Sequence, residues 1–378
     1  MDLTERTRGS ILGLAIGDAL GHPTEFLASV DAIRSKYGPL GVVDFVPLGA
    51  HPRGTFTDDT QMTIAVARAL VRAGHRDLDA LMTLMGEEFV AWARAPENNR
   101  APGGTCLAGC RELAHRVPWR TAGVRNSKGC GAAMRAAPIG LYHHDDVDAL
   151  VRVAAAQSSL THRHPTATAS SVAAAAAVAH VIRTGAIDGM LAFTRACVER
   201  LTPALLRDVG ADEAASDALG ASEMLEHLDR TEEVLDRDTD DVCRLLGGAW
   251  VGEEAVATAL WCVLKANGDF REAVIRGANS SGDSDSIACI AGSIAGALVG
   301  ARALPEAWVT GVEKAELLRR LADALVRARA GSDEPSTPAD LDPFGAEDRD
   351  ELDYESDSDT LIEDEISEDT PIDGDEDG

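Results

Sequence analysis

Thr55-Phe56-Thr57-Asp58-Asp59-Thr60-Gln61-Met62-Thr63 sets two adjacent carboxylates among four hydroxyls, and the apolar run from Ile64 to Leu70 follows at once. The run reads as a helix, so Asp58 and Asp59 sit at its N-terminus, where the helix dipole favours anions. A plain structural explanation is available: an Asp N-cap and a solvated first turn.

A second stretch repeats the pattern. Asn279-Ser280-Ser281-Gly282-Asp283-Ser284-Asp285-Ser286 precedes the small, apolar run Ile287 to Val299. Two helix mouths of this kind can bring four carboxylates together. Clustered carboxylates do not all ionise unless positive charge lies between them. Hard divalent cations held by oxygen ligands are the usual solution.

Between and around these mouths lie four more informative segments. Gly9, Gly13 and Gly17 recur every four residues before Asp18-Ala19-Leu20-Gly21-His22-Pro23-Thr24-Glu25-Phe26. On a helix they form a stripe without side chains, suited to close packing in a helical core. Asn126-Ser127-Lys128-Gly129-Cys130-Gly131 precedes a helical pattern, and its glycines free the backbone to approach a ligand. N–H groups at a helix start suit a diphosphate, although a simple turn explains a lone Gly-x-Gly equally well. Thr161-His162 follows the helical stretch 149–158, where a cap or a buried hydrogen-bond partner is the ordinary role of a histidine. Gly248-Ala249-Trp250-Val251 opens another helix, and core burial is the ordinary fate of such a tryptophan.

Taken in order, these segments resemble the ADP-ribosylglycohydrolase family over about residues 6 to 325. Arg100-Ala101-Pro102-Gly103 is a weaker match to the same family. The resemblance implies two Mg²⁺ or Mn²⁺ ions held by Thr57, Asp58, Asp59, Asp283, Asp285 and Ser286. It places Glu25 on a loop over the metals, and it assigns the phosphates and ribose of ADP-ribose to Asn126, Ser127, Gly129 and Gly131. His162 then points at the ligand, and Trp250 stacks on adenine. The family usually has Thr where this chain has Ser284 and Ser286, which puts metal affinity in question and leaves both carboxylates in place. The implied reaction is hydrolysis of a bond between ADP-ribose and a protein side chain, or of a related ADP-ribose conjugate. Asp59 or Glu25 handles the proton. The Thr-Asp-Asp-Thr, Thr-His and Trp250 segments look more like the arginine-linked branch than the serine-linked one. A catalytically silent ADP-ribose-binding or structural relative is one alternative, and another two-metal hydrolase such as a phosphoesterase is the other.

Composition sets the remaining limits. From Gly331 onward there are 21 acidic residues and one basic residue, Arg349, of 63 acidic and 35 basic in the whole chain. Residues 331–378 therefore read as a disordered acidic tail, and 1–330 as one mildly acidic domain without the basic balance of a nucleic-acid binder. Length alone favours two domains, but a split would part Asp58 and Asp59 from Asp283 and Asp285. No stretch alternates like a strand, so the expected fold is all-α, a single compact multi-helix domain. The seven cysteines form no Cys-x-x-Cys pair and read as reduced thiols. No signal-peptide pattern opens the chain and no segment reads as membrane-spanning, so a cytoplasmic monomer is expected.

Overall fold

The computed structural model describes residues 1–74, 76–212, 221–331 and 341. Among these the chain is all-α. Strands are absent, and only isolated bridges occur, such as Gly129 with Val251 and Val124 with His162. Six helices organise the core: α1 (Leu3–Gly21), α2 (Asp58–Ala73), α3 (Pro165–Thr184), α4 (Gly252–Lys265), α5 (Ser284–Val299) and α6 (Ala315–Arg329).

The glycine stripe sets the central contact. A methyl group on Gly13 would lie 2.4 Å from the carbonyl oxygen of Gly292, and one on Gly17 would lie 2.0 Å from that of Ala288. The backbones of α1 and α5 therefore touch directly, and the two helices run antiparallel, since Gly9 meets Gly296 and Gly21 meets Asp285. The C-terminus of α1 is thus fixed against the N-terminus of α5, which brings the Asp18–Glu25 region to the second Asp motif.

Helix α3 starts at Pro165, whose missing N–H costs nothing at that position, and ends at Gly185 in the left-handed region (φ 70°). Among the described residues it is the one helix long and apolar enough to cross a membrane, and its most apolar window is wholly buried in the fold.

Two helices end the described domain, Glu306–Gly311 and α6, divided where Lys314 takes a left-handed conformation (φ 52°). Helix α6 ends at Arg329, and Gly331, two residues on, is also left-handed (φ 70°). The acidic tail lies outside the described residues except for Gly331 and Leu341. Leu341 is only 3% exposed and joins the core. Burying one leucine contributes about 1.5–3 kcal/mol. A chain truncated after Gly331 should therefore melt measurably lower in calorimetry than one truncated after Gly345. Equal melting temperatures would show that Leu341 contributes nothing.

Candidate active site

The N-terminus of α2 is capped twice, and neither cap is Asp58 or Asp59. Thr57 is the N-cap, its Oγ1 accepting from the Asp59 N–H at 3.3 Å. Asp18, fully buried on α1, reaches across. Its Oδ1 accepts from Thr57 N at 2.9 Å, and its Oδ2 accepts from Thr60 N at 3.0 Å and from Thr60 Oγ1 at 2.5 Å. With the orphan N–H groups satisfied in this way, the Asp58 and Asp59 carboxylates are released from capping. Asp58 Oδ2 accepts a bond from Gly103 N at 3.2 Å, which brings the Arg100–Gly103 segment to the site. Asp59 Oδ2 is buried with no hydrogen-bond partner among the described residues.

Opposite stands the mouth of α5. Asp283 N donates to Gly248 O at 2.9 Å, and Asp283 Oδ2 accepts from the Cys130 thiol at 2.8 Å. Asp285 Oδ1 takes the Ser286 N–H at 2.9 Å. The Ser286 hydroxyl lies 3.6 Å from Cys130 Sγ. Carboxylate oxygens of Glu25, Asp283 and Asp285 lie within 4.8 Å of one another. Glu25 thus joins the two aspartates as a donor group. Asp58 and Asp59 face this trio without belonging to it. Glu25 Oε2, like Asp59 Oδ2, is buried without a partner.

The electrostatics follow from burial and crowding. Burial, then the charges of Asp285, Asp283, Asp58 and Asp18, push the Glu25 carboxyl up to about 11. Burial raises Asp58 to about 8, with the Gly103 N–H opposing, and raises Asp18 to about 7, with Asp285 adding to it. Asp59 and Asp283 are driven upward by burial first and by Asp285 next. The charges acting most strongly on Glu25 and Asp59 are all carboxylates. An all-oxygen donor set, with two orphaned buried oxygens and no neighbouring cation among those principal charges, fits a hard divalent ion.

The glycine loop lies beside this cluster. Lys128 O accepts from Gly252 N at 2.8 Å, and Cys130 N donates to Trp250 O at 3.2 Å, lacing the loop to the start of α4. Lys128 Nζ pins it further, at 2.6 Å from Glu253 and 3.2 Å from Glu223. Asn126 is exposed at the head of the loop. Ser127 Oγ pairs with Thr105 Oγ1 at 2.9 Å. The helix after the loop is a single turn, Gly131–Met134, too short for a substantial dipole. The glycines serve another contact. A methyl group on Gly129 would meet His162 Nε2 at 3.2 Å, and one on Gly131 would meet His162 Cε1 at 2.9 Å. His162 is buried under the loop, and desolvation, reinforced by the Arg135 charge, lowers it to about 3.

Trp250 is not core. It is 49% exposed and stacks on Phe26, itself 67% exposed, with ring centroids 6.0 Å apart and planes at 21°. Phe26 follows Glu25, so two aromatic rings from separate loops stand next to the carboxylates. Phe26 and Asp18 are the residues that sequence reasoning passed over. The signal for Asp18 was present: a carboxylate set in an otherwise apolar helical run has to find buried donors.

Comparison with known proteins places the chain in a family. The sequence model of the ADP-ribosylglycohydrolase family matches residues 1–335. An uncharacterized protein of Archaeoglobus fulgidus is 34% identical over 325 residues, 85% of this chain and 96% of that one. The ADP-ribosyl-[dinitrogen reductase] glycohydrolase of Rhodospirillum rubrum is 28% identical over 337 residues, 87% of this chain and 98% of the relative. The ADP-ribosylarginine hydrolase Tri1 of Serratia proteamaculans is 26% identical over 329 residues, 85% and 79% of the respective chains. The match runs through both carboxylate-bearing helix mouths and the loops between them, and the chain is an enzyme of the ADP-ribosylglycohydrolase family.

Proposed function

We propose that this protein hydrolyses the bond between ADP-ribose and a modified protein side chain, with arginine as the favoured acceptor. The observation that carries the reading is the buried carboxylate cluster with two oxygens, Glu25 Oε2 and Asp59 Oδ2, that no protein group among the described residues satisfies. The arginine preference draws support from the relative named an ADP-ribosylarginine hydrolase.

Thr57, Asp58, Asp59, Asp283, Asp285 and Ser286 are the residues that would hold two Mg²⁺ ions, with Mn²⁺ as a substitute. Such ions, when bound, supply Lewis acidity and lower the pKa of a bound water. The protein side chains do the rest. Cleavage at the anomeric carbon passes through an oxocarbenium-like state, in which water loses a proton and the leaving nitrogen gains one. Within the cluster, Glu25 and Asp59 each keep an oxygen without a partner among the described residues, and either can carry such a proton. Asp18 holds the start of α2 so that Asp58 and Asp59 keep their positions. The loop from Asn126 to Gly131, with His162 beneath it, and Trp250 hold the adenosine diphosphate end. The partner is thus an ADP-ribosylated protein or a small ADP-ribose conjugate.

The direct test incubates ADP-ribosyl-arginine and ADP-ribosyl-serine peptides with the protein, with and without Mg²⁺. Mg²⁺-dependent release of free ADP-ribose from the arginine peptide is expected. Release of AMP would favour a phosphoesterase. Turnover of the serine peptide alone would overturn the arginine preference.

Trp250 gives a second test. Stacking of a base on an aromatic ring is worth about 1–3 kcal/mol. Since the ring is half exposed, Trp250→Ala should fold normally and bind ADP-ribose about 5- to 150-fold more weakly in calorimetric titration. Unchanged affinity would remove Trp250 from the binding site.

A further inference from the structure

Arg135 is fully buried, yet among the described residues its hydrogen bonds go only to neutral groups. Its Nε donates to Gln157 Oε1 at 2.8 Å, and its Nη2 donates to Thr161 Oγ1 at 2.7 Å. Gln157 is itself fixed, with Nε2 donating to Ala132 O and Ser171 Oγ, both at 2.6 Å. The guanidinium also lies 4.4 Å over the Phe89 ring. A buried cation held this firmly, with no carboxylate hydrogen-bonded to it among the described residues, calls for an explanation beyond packing.

The hydrogen bonds supply one. A guanidinium nitrogen only donates, so Thr161 Oγ1 must accept from Arg135. Among the described residues the one acceptor in reach of the Thr161 hydroxyl proton is its other neighbour, His162 Nδ1, at 2.8 Å. Nδ1 therefore offers its lone pair, and the neutral imidazole carries its proton on Nε2. The ring cannot swing away. His162 N donates to Ser158 O at 2.7 Å, and Ser158 Oγ donates to His162 O at 2.9 Å. The Nε2 edge faces Gly129 and Gly131, where an added methyl group would stand 3.2 Å from Nε2 at the first and 2.9 Å from Cε1 at the second. No acceptor for Nε2 is found among the described residues. The charge acting on the ring is that of Arg135, and the thiol of Cys106 packs on the same Gly131.

We propose that Arg135 and Thr161 are positioning residues that lock His162 as the Nε2–H tautomer, so that it donates a hydrogen bond to an anionic phosphoryl oxygen held at the Gly129–Gly131 loop and takes no part in proton transfer. The ligand half of this proposal rests on the ADP-ribose reading. The tautomer half does not, because the relay is complete in the free protein.

The test uses the full chain labelled with ¹⁵N-histidine. Long-range ¹H–¹⁵N spectra of the free protein should show His162 with Nδ1 bare and Nε2 protonated, unchanged between about pH 5 and 9. Arg135→Met would remove a buried charge and endanger folding, so Thr161→Val and Thr161→Ser carry the experiment. Thr161→Val deletes the proton that pins Nδ1. It should give a mixture of tautomers and weaken ADP-ribose binding about 5-fold or more. Thr161→Ser restores the hydroxyl and should keep the single tautomer and bring affinity back to within about twofold of the parent. An Nδ1–H tautomer in the parent protein, a His162 that titrates in this pH range, or a Thr161→Val variant with parental affinity would each overturn the lock. A parent protein that shows the tautomer and binds no ADP-ribose would overturn the ligand half alone.

Discussion

Asp59→Asn is expected to lower hydrolysis about 100-fold or more while leaving the fold intact. The substitution keeps shape and removes charge. It breaks no cap, because Thr57 and Asp18 satisfy the start of α2 and the N–H that Thr57 Oγ1 accepts belongs to the backbone of residue 59. Without divalent ions the variant should be more stable than the parent, since Asp59 faces the repulsion of Asp285, Asp18, Asp58 and Asp283. The pH dependence has a definite sign. Asp18 is raised to about 7 and Asp58 to about 8. A carboxyl whose folded-state pKa lies above its unfolded value contributes stability at low pH and loses it as pH rises through the folded value. In urea melts with a chelator, the parent should therefore weaken from about pH 5 to 9 and the variant should weaken less. An ordinary N-cap role predicts a different outcome, because Asn caps a helix about as well as Asp: both activity and stability would be untouched.

Gly17→Ala should be nearly as damaging, through an unrelated route. One methyl group there would sit 2.0 Å from the Ala288 carbonyl oxygen and 2.5 Å from its carbon. Both are backbone atoms of α5, so no rotamer change relieves the clash and the helices have to part. Overpacking against flexible side chains costs about 1–3 kcal/mol, and this contact should exceed that range. Because Asp18 and Asp285 lie at the same junction, any folded fraction should also bind Mg²⁺ more weakly. Gly104→Ala is the control. Nothing lies within 4 Å of its added carbon, and replacing Gly in a helix is worth up to about 1 kcal/mol. Circular dichroism melts of the two variants should move in opposite directions. A Gly17→Ala protein as stable as its parent would mean that α1 and α5 are not in backbone contact.

What the sequence revealed and what it withheld divide along physical lines. The helix mouths at Thr57 and Asp283 were legible because periodicity and capping chemistry are local. The glycine stripe was legible because spacing by four has one geometric meaning on a helix. Asp18 signalled a need for buried donors but not which ones, since its partners Thr57 and Thr60 lie roughly 40 residues away in the chain. Trp250 fitted core and surface equally well as a pattern, and only the fold exposes it against Phe26. The single-turn helix at Gly131 was hidden by an apolar run that reads as continuous. A second helix, Ala137–Tyr142, starts just beyond it with Pro138 in its first turn, where the ring interrupts the backbone ladder.

The antiparallel contact of α1 with α5 also bears on how the chain is made. Helix α1 is synthesised before α5, and the surface that covers its glycines emerges some 260 residues later. At about 5–20 residues per second, the ribosome takes roughly 13–50 s to deliver it. Through that interval Ile11, Leu14 and Ile16 lack their final neighbours, and the carboxylate cluster has only one of its two walls. Catalytic competence therefore waits until the second helix mouth, at α5, has emerged.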